Sequence, residues 1–226
     1  MLHKIFNIIA PDHCYGCNNS GSVLCDNCKY DIETEAFFGC LMCRKPTSAG
    51  KVCSDHGLSY SQALCVGERH DVLEKIIDAY KFGRNSRAAQ MSGVLMMTQL
   101  VALPKNIKLV PVPTIASHIR QRGFDHTDII TREISKRLGC DVVEIVSRRT
   151  NTVQRQASRA KRLKQASEAF RLSNTSDLDE NGIYVVVDDV FTTGATVEAV
   201  ASLLRAAGVS KVIVAVLARQ TLDDKR

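Results

Sequence analysis

The sequence predicts an α/β protein, in which a parallel β-sheet flanked by helices follows a small cysteine-rich N-terminal domain. After residue 60, short β-branched runs alternate with segments of helical periodicity, and this alternation is typical of parallel sheets. Before residue 60, cysteine is dense, because seven of the nine cysteines lie between Cys14 and Cys53. The change in composition predicts two domains, at residues 1–60 and 61–226.

Size and charge narrow the class of protein. The 226 residues suit one ordinary domain with a small appendage, and a hydrophobic content of 45% is enough for a core. A net charge of +6 favours polyanionic partners such as nucleotides or nucleic acid. No apolar run approaches the roughly 18 to 20 residues that span a bilayer, and the first residues lack a signal-peptide cleavage pattern. We expect a cytoplasmic protein without a transmembrane segment.

The spacing of the cysteines predicts structural zinc. Four pairs of candidate ligands have two residues between their members, which lets two side chains converge on one ion at about 2.3 Å. The candidates are Cys14, Cys17, Cys25, Cys28, Cys40, Cys43, Cys53 and His56. Four ligands close a tetrahedral site, so the set predicts two zinc ions, or one if only the first four ligands bind.

Alternatives remain for these ligands. We favour sequential pairing, with the first four on one ion and the last four on another, and interleaved pairing is the alternative. His56 has only its spacing in its favour, since a lone histidine is more often a surface residue. A redox role is disfavoured, because redox Cys-x-x-Cys motifs come singly beside a βαβ pattern.

The segments after residue 60 alternate as a parallel sheet requires. The predicted strands are 63–66, 108–113, 142–146, 169–172, 184–187 and 211–217. The predicted helices are about 72–81, 86–103, 127–138 and 197–207. Cys65 and Cys140 fall among these elements and are expected to be buried apolar residues.

The stretch 184–196 carries the most informative pattern. A buried strand begins at Tyr184, and Asp188 and Asp189 are expected to end it. A small hydroxyl-rich turn then leads into a helix, with the residues Thr192, Thr193, Gly194, Ala195 and Thr196. Backbone N–H groups of such a turn can hold a phosphate, while the carboxylates can accept hydrogen bonds from sugar hydroxyls or hold a divalent cation. The pattern predicts a ribose-phosphate site, and the alternative is an ordinary turn capped by aspartate.

A second loop is expected at the same edge of the sheet. Prolines close the strand 108–113, and the loop 114–124 follows with Thr114, His118, Arg120 and Arg122. Ligands of open α/β sheets bind outside the carboxyl ends of the strands, so this loop and the 188–196 loop could face one another. Arg120 or Arg122 could neutralise a pyrophosphate, or both could be solvated charges.

A basic segment covers residues 148–164, which hold seven Lys or Arg residues and no acidic residue. Two roles fit this density of positive charge: a lid that closes on a phosphorylated ligand, or a nucleic-acid patch. The candidate residues for either role are Arg155, Arg159, Lys161, Arg162 and Lys164. No aromatic residue lies among them, which argues against base stacking within the segment itself.

The stretch 184–196 resembles the phosphoribosyl-pyrophosphate (PRPP) signature of type I phosphoribosyltransferases at every position. Together with the cysteine pairs, Val110-Pro-Val-Pro113, Arg120-x-Arg-Gly-Phe124 and the segment from Gln154 to Phe170, it is similar to the ComF (GntX-like) family of competence-associated, phosphoribosyltransferase-like proteins. The resemblance covers nearly the whole chain. It implies a type I phosphoribosyltransferase-like sheet preceded by a zinc-ribbon domain.

The resemblance also implies a ligand and a cellular role. Asp188 and Asp189 would contact ribose hydroxyls, Thr192 to Thr196 the 5-phosphate, and the loop after Pro113 the pyrophosphate, with Mg²⁺. The family is tied to natural transformation, in which imported single-stranded DNA is handled at the inner face of the membrane beside a helicase-like partner. The alternative is an active phosphoribosyltransferase with an unidentified acceptor, and no catalytic residue is assigned.

Four positions depart from the family pattern. Asp125 and His126 stand where the family usually has Asn-Gln, Gln165 stands near a frequent Asn, and His56 replaces a cysteine. These departures bear on the second zinc ion and on the start of the helix near residue 127, and they leave the PRPP stretch unaffected.

Overall fold

A computed structural model describes residues 12–149, 168–173 and 178–220. The strands are β1 (Gln62–Glu68), β2 (Ile107–Pro111), β3 (Asp141–Val142), β4 (Val146–Arg148), β5 (Phe170–Leu172), β6 (Ile183–Phe191) and β7 (Lys211–Arg219). The α-helices are α1 (Asp26–Thr34), α2 (Asp71–Lys81), α3 (Ser86–Leu100), α4 (Ala116–Arg122), α5 (His126–Leu138) and α6 (Ala195–Ala206).

The main sheet of the described residues is parallel, with the strand order β1-β7-β6-β2-β3. Its centre is β6, in which Val187 lies between Pro111 of β2 and Ala215 of β7. Strands β6 and β7 are nearly continuous apolar runs because both faces of the sheet are covered. The predicted α/β class is confirmed.

Each face of the sheet has its own core. On one face, α2, α3 and α5 pack on Val185 and Val187, with Tyr80, Leu95 and Ile130 fully buried. On the other face, α6 and the short antiparallel pair β4–β5 pack on the alternate residues of β6, including Val186. The alternation of side chains along β6 therefore sends adjacent residues into different surroundings.

The cysteine-rich segment packs against both cores. Cys14 and Leu24 join the core under α2 and α3, whereas Leu41 and Tyr60 join the core under α6. The buried guanidinium of Arg219 at the end of β7 donates from Nε to the carbonyl oxygen of Leu41 at 2.7 Å. The cysteine-rich head (residues 12–60) and the sheet therefore share buried surface. The domain boundary near residue 60 stays a prediction from composition.

Three local predictions are wrong. Strand β6 does not end at the aspartates, because Val190 and Phe191 still pair with Ala218 and Arg219 of β7. The predicted loop 114–124 contains α4, which is too short to give a helical period and ends at Gly123 with φ +88°. The predicted strand 142–146 is two strands, because β3 pairs with β2 and β4 pairs with β5.

Candidate functional site

A cavity of about 210 Å³ lies where the carboxyl ends of β2 and β6 meet the start of α6. Five of the site residues predicted from the sequence line this cavity: Thr114, Arg122, Asp188, Asp189 and Thr196. The site combines two carboxylates, cationic side chains and hydroxyl groups within one small volume. This composition suits a ligand that carries both sugar hydroxyls and phosphate.

The remaining predicted residues lie around this cavity rather than in its wall. Arg120 is exposed on α4, and Thr192 is exposed on the turn after β6. Thr193 Oγ1 accepts a hydrogen bond of 3.4 Å from the backbone N–H of Ala195 and so stabilises the turn. The basic residues Arg155, Arg159, Lys161, Arg162 and Lys164 lie outside the described residues.

The turn between β6 and α6 requires glycine at position 194. Gly194 has φ +76°, a left-handed conformation that disfavours other residues. A Cβ atom there would lie 2.6 Å from Cζ of Phe191 and 3.3 Å from Sδ of Met42. The turn is therefore packed tightly, and it delivers the first N–H groups of α6 to the cavity edge, where an anion is favoured.

The two adjacent aspartates have opposite electrostatic surroundings. Burial alone would raise the pKa of Asp189, but Lys81 and His126 outweigh it and hold that pKa well below its usual range. Burial, together with the charge of Asp189, raises the pKa of Asp188 to about 7. Asp188 lines the cavity, and its Oδ1 accepts a 2.8 Å hydrogen bond from the N–H of Asp189.

The residues of the cavity wall that were not proposed from the sequence include Lys81, His126 and Arg148. Lys81 closes α2, so its position indicated only the end of a helix. Arg148 begins the basic segment, and it packs over the ring of Phe170 at 4.7 Å and donates to the carbonyl oxygen of Pro113. Burial lowers the pKa of Arg148.

A separate pair of clusters could hold metal ions. One cluster consists of Cys14, Cys17, Cys25 and Cys28, and the other of Cys40, Cys43, Cys53 and His56. Within each cluster the candidate ligand atoms lie within 4.8 Å of one another. This grouping corresponds to the sequential pairing and brings His56 to the second cluster.

The chemistry of the donors fits zinc. Nε2 of His56 is buried and has no hydrogen-bond partner among the described residues, as a metal ligand would require. Burial raises the pKa of the Cys14 and Cys40 thiols, but backbone N–H donors outweigh it and lower each pKa to about 6. Each cluster thus contains one thiol that ionises readily near neutral pH, and thiolate is the form that binds metal.

No helix within the described ranges is both long enough and apolar enough to cross a membrane.

Comparison with known proteins places the chain in a family. The phosphoribosyl transferase domain model matches residues 119–226. DNA utilization protein YhgH of Salmonella typhi is 31% identical over 169 residues, which cover 71% of this chain and 73% of that protein. Competence protein F of Haemophilus influenzae is 27% identical over 222 residues, with 92% and 95% covered. Competence protein ComFC of Streptococcus pneumoniae is 23% identical over 199 residues, with 86% of each chain covered. The chain belongs to the ComF family of phosphoribosyltransferase-like proteins.

Proposed function

We propose that this protein binds PRPP in the cavity between β2 and β6 and takes part in natural transformation, where it handles imported single-stranded DNA. The main observation in favour of PRPP binding is the arrangement of charged groups in the cavity. A carboxylate pair lies near the carboxyl end of β6, the tight turn at Gly194 follows that strand, and Arg122 and Arg148 line the same cavity. A sugar that carries phosphate groups at both ends matches this pattern.

Each part of PRPP has a partner of suitable chemistry. The acidic pair Asp188 and Asp189 suits the ribose hydroxyls, because carboxylates accept hydrogen bonds from them. The turn 192–196 and the start of α6 suit the 5-phosphate. Arg122 and Arg148 suit the pyrophosphate, since they supply two guanidinium groups, and Thr114 lines the same cavity with its hydroxyl donating to Oδ1 of Asp125.

Magnesium fits the same site. Carboxylate and phosphate oxygens are the ligands that Mg²⁺ prefers in proteins, and Asp188 is the half-buried carboxylate of the cavity. A bound Mg²⁺ would neutralise part of the charge of the pyrophosphate, while Asp188 would hold the ion against the ribose.

The names of the relatives support the cellular part of the proposal, since they include competence protein F, competence protein ComFC and DNA utilization protein. The net charge of +6 favours a polyanion. The ring of Phe82 is 72% exposed at the end of α2, and Arg84 beside it donates to the carbonyl oxygen of Gln121, next to exposed Arg120. An exposed aromatic ring that lies close in sequence to an arginine suits a stacked base of single-stranded DNA.

The family resemblance extends the proposal to the setting of the protein. We infer that it works in the cytoplasm at the inner face of the membrane, held there by a helicase-like competence partner. The basic residues 155–164 would either close over PRPP or contact DNA phosphates.

The second candidate is an active phosphoribosyltransferase with an unidentified acceptor. The cavity favours it too, because carboxylates, cations and a phosphate turn are the groups that would position PRPP and stabilise charge during displacement of pyrophosphate. Release of pyrophosphate from PRPP in the presence of candidate bases or amines, measured against protein-free solution, separates this enzyme from a protein that only binds PRPP.

Calorimetric titration with PRPP and Mg²⁺ tests the proposed site. The variant with both Asp188→Ala and Asp189→Ala is expected to lose binding, because the ribose and the Mg²⁺ ion lose their carboxylates. Asp141→Ala is the matched control, since this aspartate is exposed at the start of β3. Unchanged affinity in the double variant would place the ligand elsewhere.

A further inference from the structure

Lys81 is the last residue of α2, and it lies directly against the acidic pair. Its Nζ is 2.7 Å from Oδ2 of Asp189, with side chains that are 20% and 9% exposed. A buried charge is stable only when it is paired and hydrogen-bonded. The position of Lys81 is therefore tied to Asp189, which is 108 residues further along the chain.

His126 approaches the same carboxylate oxygen from α5, with Nε2 at 2.9 Å from Oδ2. Its other ring nitrogen, Nδ1, lies 2.9 Å from a guanidinium nitrogen of Arg122. Arginine can only donate, so Nδ1 must accept and carries no proton. The proton of the neutral ring is thus on Nε2, and His126 donates it to Asp189.

Tyr80 completes this arrangement. Its hydroxyl donates to Oδ2 of Asp189 at 3.3 Å, and its ring stacks on that of His126 with centroids 5.3 Å apart. Three donors from two helices therefore converge on one oxygen of Asp189. This carboxylate is held against α2 and α5. Oδ1 of the adjacent Asp188 instead accepts a hydrogen bond of 2.8 Å from the backbone N–H of Asp189.

We propose that Lys81 and His126 are positioning residues of the sugar-phosphate site: they hold the Asp189 carboxylate in place, and Asp188 is thereby left as the carboxylate that contacts the ribose hydroxyls or their Mg²⁺ ion. This inference rests on the proposed function, and it assigns different roles to the two aspartates. Asp189 acts by fixing the position of its part of β6, and Asp188 acts on the ligand.

The division follows from the geometry of β6. Adjacent residues of a strand point to opposite faces of the sheet, so the two carboxylates have different side-chain neighbours although both line the cavity. Asp189 faces the helices that cover the sheet, where Lys81 compensates its charge. A ligand that recruited Asp189 as well would have to replace donors already in hydrogen-bond contact with it, which is costly for a buried carboxylate.

A double-mutant cycle on PRPP affinity tests the proposal, with Lys81→Met, Asp189→Asn and their combination, measured by calorimetry with Mg²⁺. Each single substitution is expected to weaken binding by about tenfold, because it removes the contact that fixes this part of β6. If Lys81 acts through Asp189, the combined variant loses no more than the weaker-binding single variant. Losses that multiply would mean that Lys81 contacts the ligand itself and would overturn the proposal.

Two matched variants separate positioning from general damage to the fold. Lys75→Met, on the exposed side of α2, is expected to bind PRPP as the unsubstituted protein does. His126→Gln keeps an N–H donor for Asp189 and is expected to keep affinity within about threefold, whereas His126→Leu should lose about tenfold. Equal loss in both His126 variants would contradict the positioning role.

The outcomes also separate this inference from the proposed function. If the unsubstituted protein binds no PRPP, the proposed function fails and this assignment fails with it. If the protein binds PRPP and Asp189→Asn retains full affinity, only the division of work between the aspartates is overturned.

Discussion

At the scale of single residues, the molecule places two chemically identical side chains next to one another and gives them opposite properties. Asp189 lies among Tyr80, Lys81 and His126, and the last two keep its pKa low despite burial. Asp188 has burial and a neighbouring negative charge, and its pKa rises to about 7. The pair therefore offers one permanent anion and one carboxylate that titrates near neutral pH.

This difference predicts a pH-dependent gain in stability for Asp188→Asn. The pKa of Asp188 is raised from 3.8 to about 7 on folding, so between these values the folded state binds more protons than the unfolded state. The stability due to Asp188 is present at low pH and is lost as the pH rises through about 7. Near pH 4, the free energy of unfolding of the asparagine variant should be closest to that of the unsubstituted protein. At pH 8, the variant should have the larger free energy of unfolding, by up to about 4 kcal/mol.

Urea denaturation at pH 4 and pH 8 measures this gain, with Asp141→Asn as the exposed control. If the stability difference between Asp188→Asn and the unsubstituted protein stays constant with pH, the raised pKa is wrong.

A second prediction concerns Gly194→Ala. Both Gly194 and Gly139 have positive φ angles, but a Cβ at Gly139 would meet nothing within 4 Å, whereas at Gly194 it would meet the Phe191 ring. Gly139→Ala should cost about 1 to 2 kcal/mol from backbone strain alone. Gly194→Ala should cost about 1 to 3 kcal/mol more and weaken phosphate binding. Equal losses in urea denaturation would show that the turn is not tightly packed.

At the scale of elements, the second cysteine cluster contacts the turn that starts α6. Leu41 lies within this cluster and accepts from Arg219, and Met42 next to it lies against the Gly194 turn. Further along the head, Ser59 Oγ donates to Glu198 in the first turn of α6 at 2.7 Å. Loss of a ligand from the second cluster should therefore disturb the proposed phosphate turn. The first cluster packs under α2 and α3, so loss of a ligand there should disturb this turn less.

Metal analysis tests this element. The purified protein should contain about two zinc ions per chain, since two clusters have four ligands each. Cys53→Ala should lose one ion and weaken PRPP binding, because the loop that holds Leu41 and Met42 loses its anchor. Cys17→Ala in the first cluster is the matched comparison and should affect PRPP binding less. One zinc ion in the unsubstituted protein would count against Cys53 and His56 as ligands.

Much of the fold was predictable at this scale, and the failures have physical reasons. Long buried strands such as β6 and β7 and amphipathic helices such as α2 are set by local patterns. Helix α4 is only 7 residues long, too short to show a period. The network at Asp189 was not predictable, because Tyr80, Lys81 and His126 meet it through the packing of two separate helices and no local pattern encodes that contact.

At the scale of the whole molecule, a basic protein combines the proposed PRPP site with a cysteine-rich head that has two candidate metal clusters. The net charge of +6 does not specify a surface, but exposed Phe82 with neighbouring arginines gives one candidate, and the residues 155–164 give another.

Salt dependence should separate these two surfaces. Affinity for single-stranded DNA should fall steeply with salt, and neutralising Arg155, Arg159 and Arg162 should reduce the slope by about 2, at about 0.7 per phosphate contact. Phe82→Ala should weaken binding by about tenfold and leave the slope unchanged, because stacking releases no counterions. An unaltered slope in the arginine variant, measured by fluorescence anisotropy over a salt series, would move the DNA surface elsewhere, with the cysteine-rich head as the next candidate.

The central claim is that the cavity at the carboxyl end of β6 binds PRPP, and its most direct test is calorimetric titration of the purified protein with PRPP in the presence of Mg²⁺. We predict saturable binding of one PRPP per chain that is weakened when Mg²⁺ is chelated and abolished in the Asp188→Ala, Asp189→Ala double variant. The absence of any binding heat at several temperatures would contradict the claim and would remove both the enzyme and the PRPP-binding protein as functions of this site.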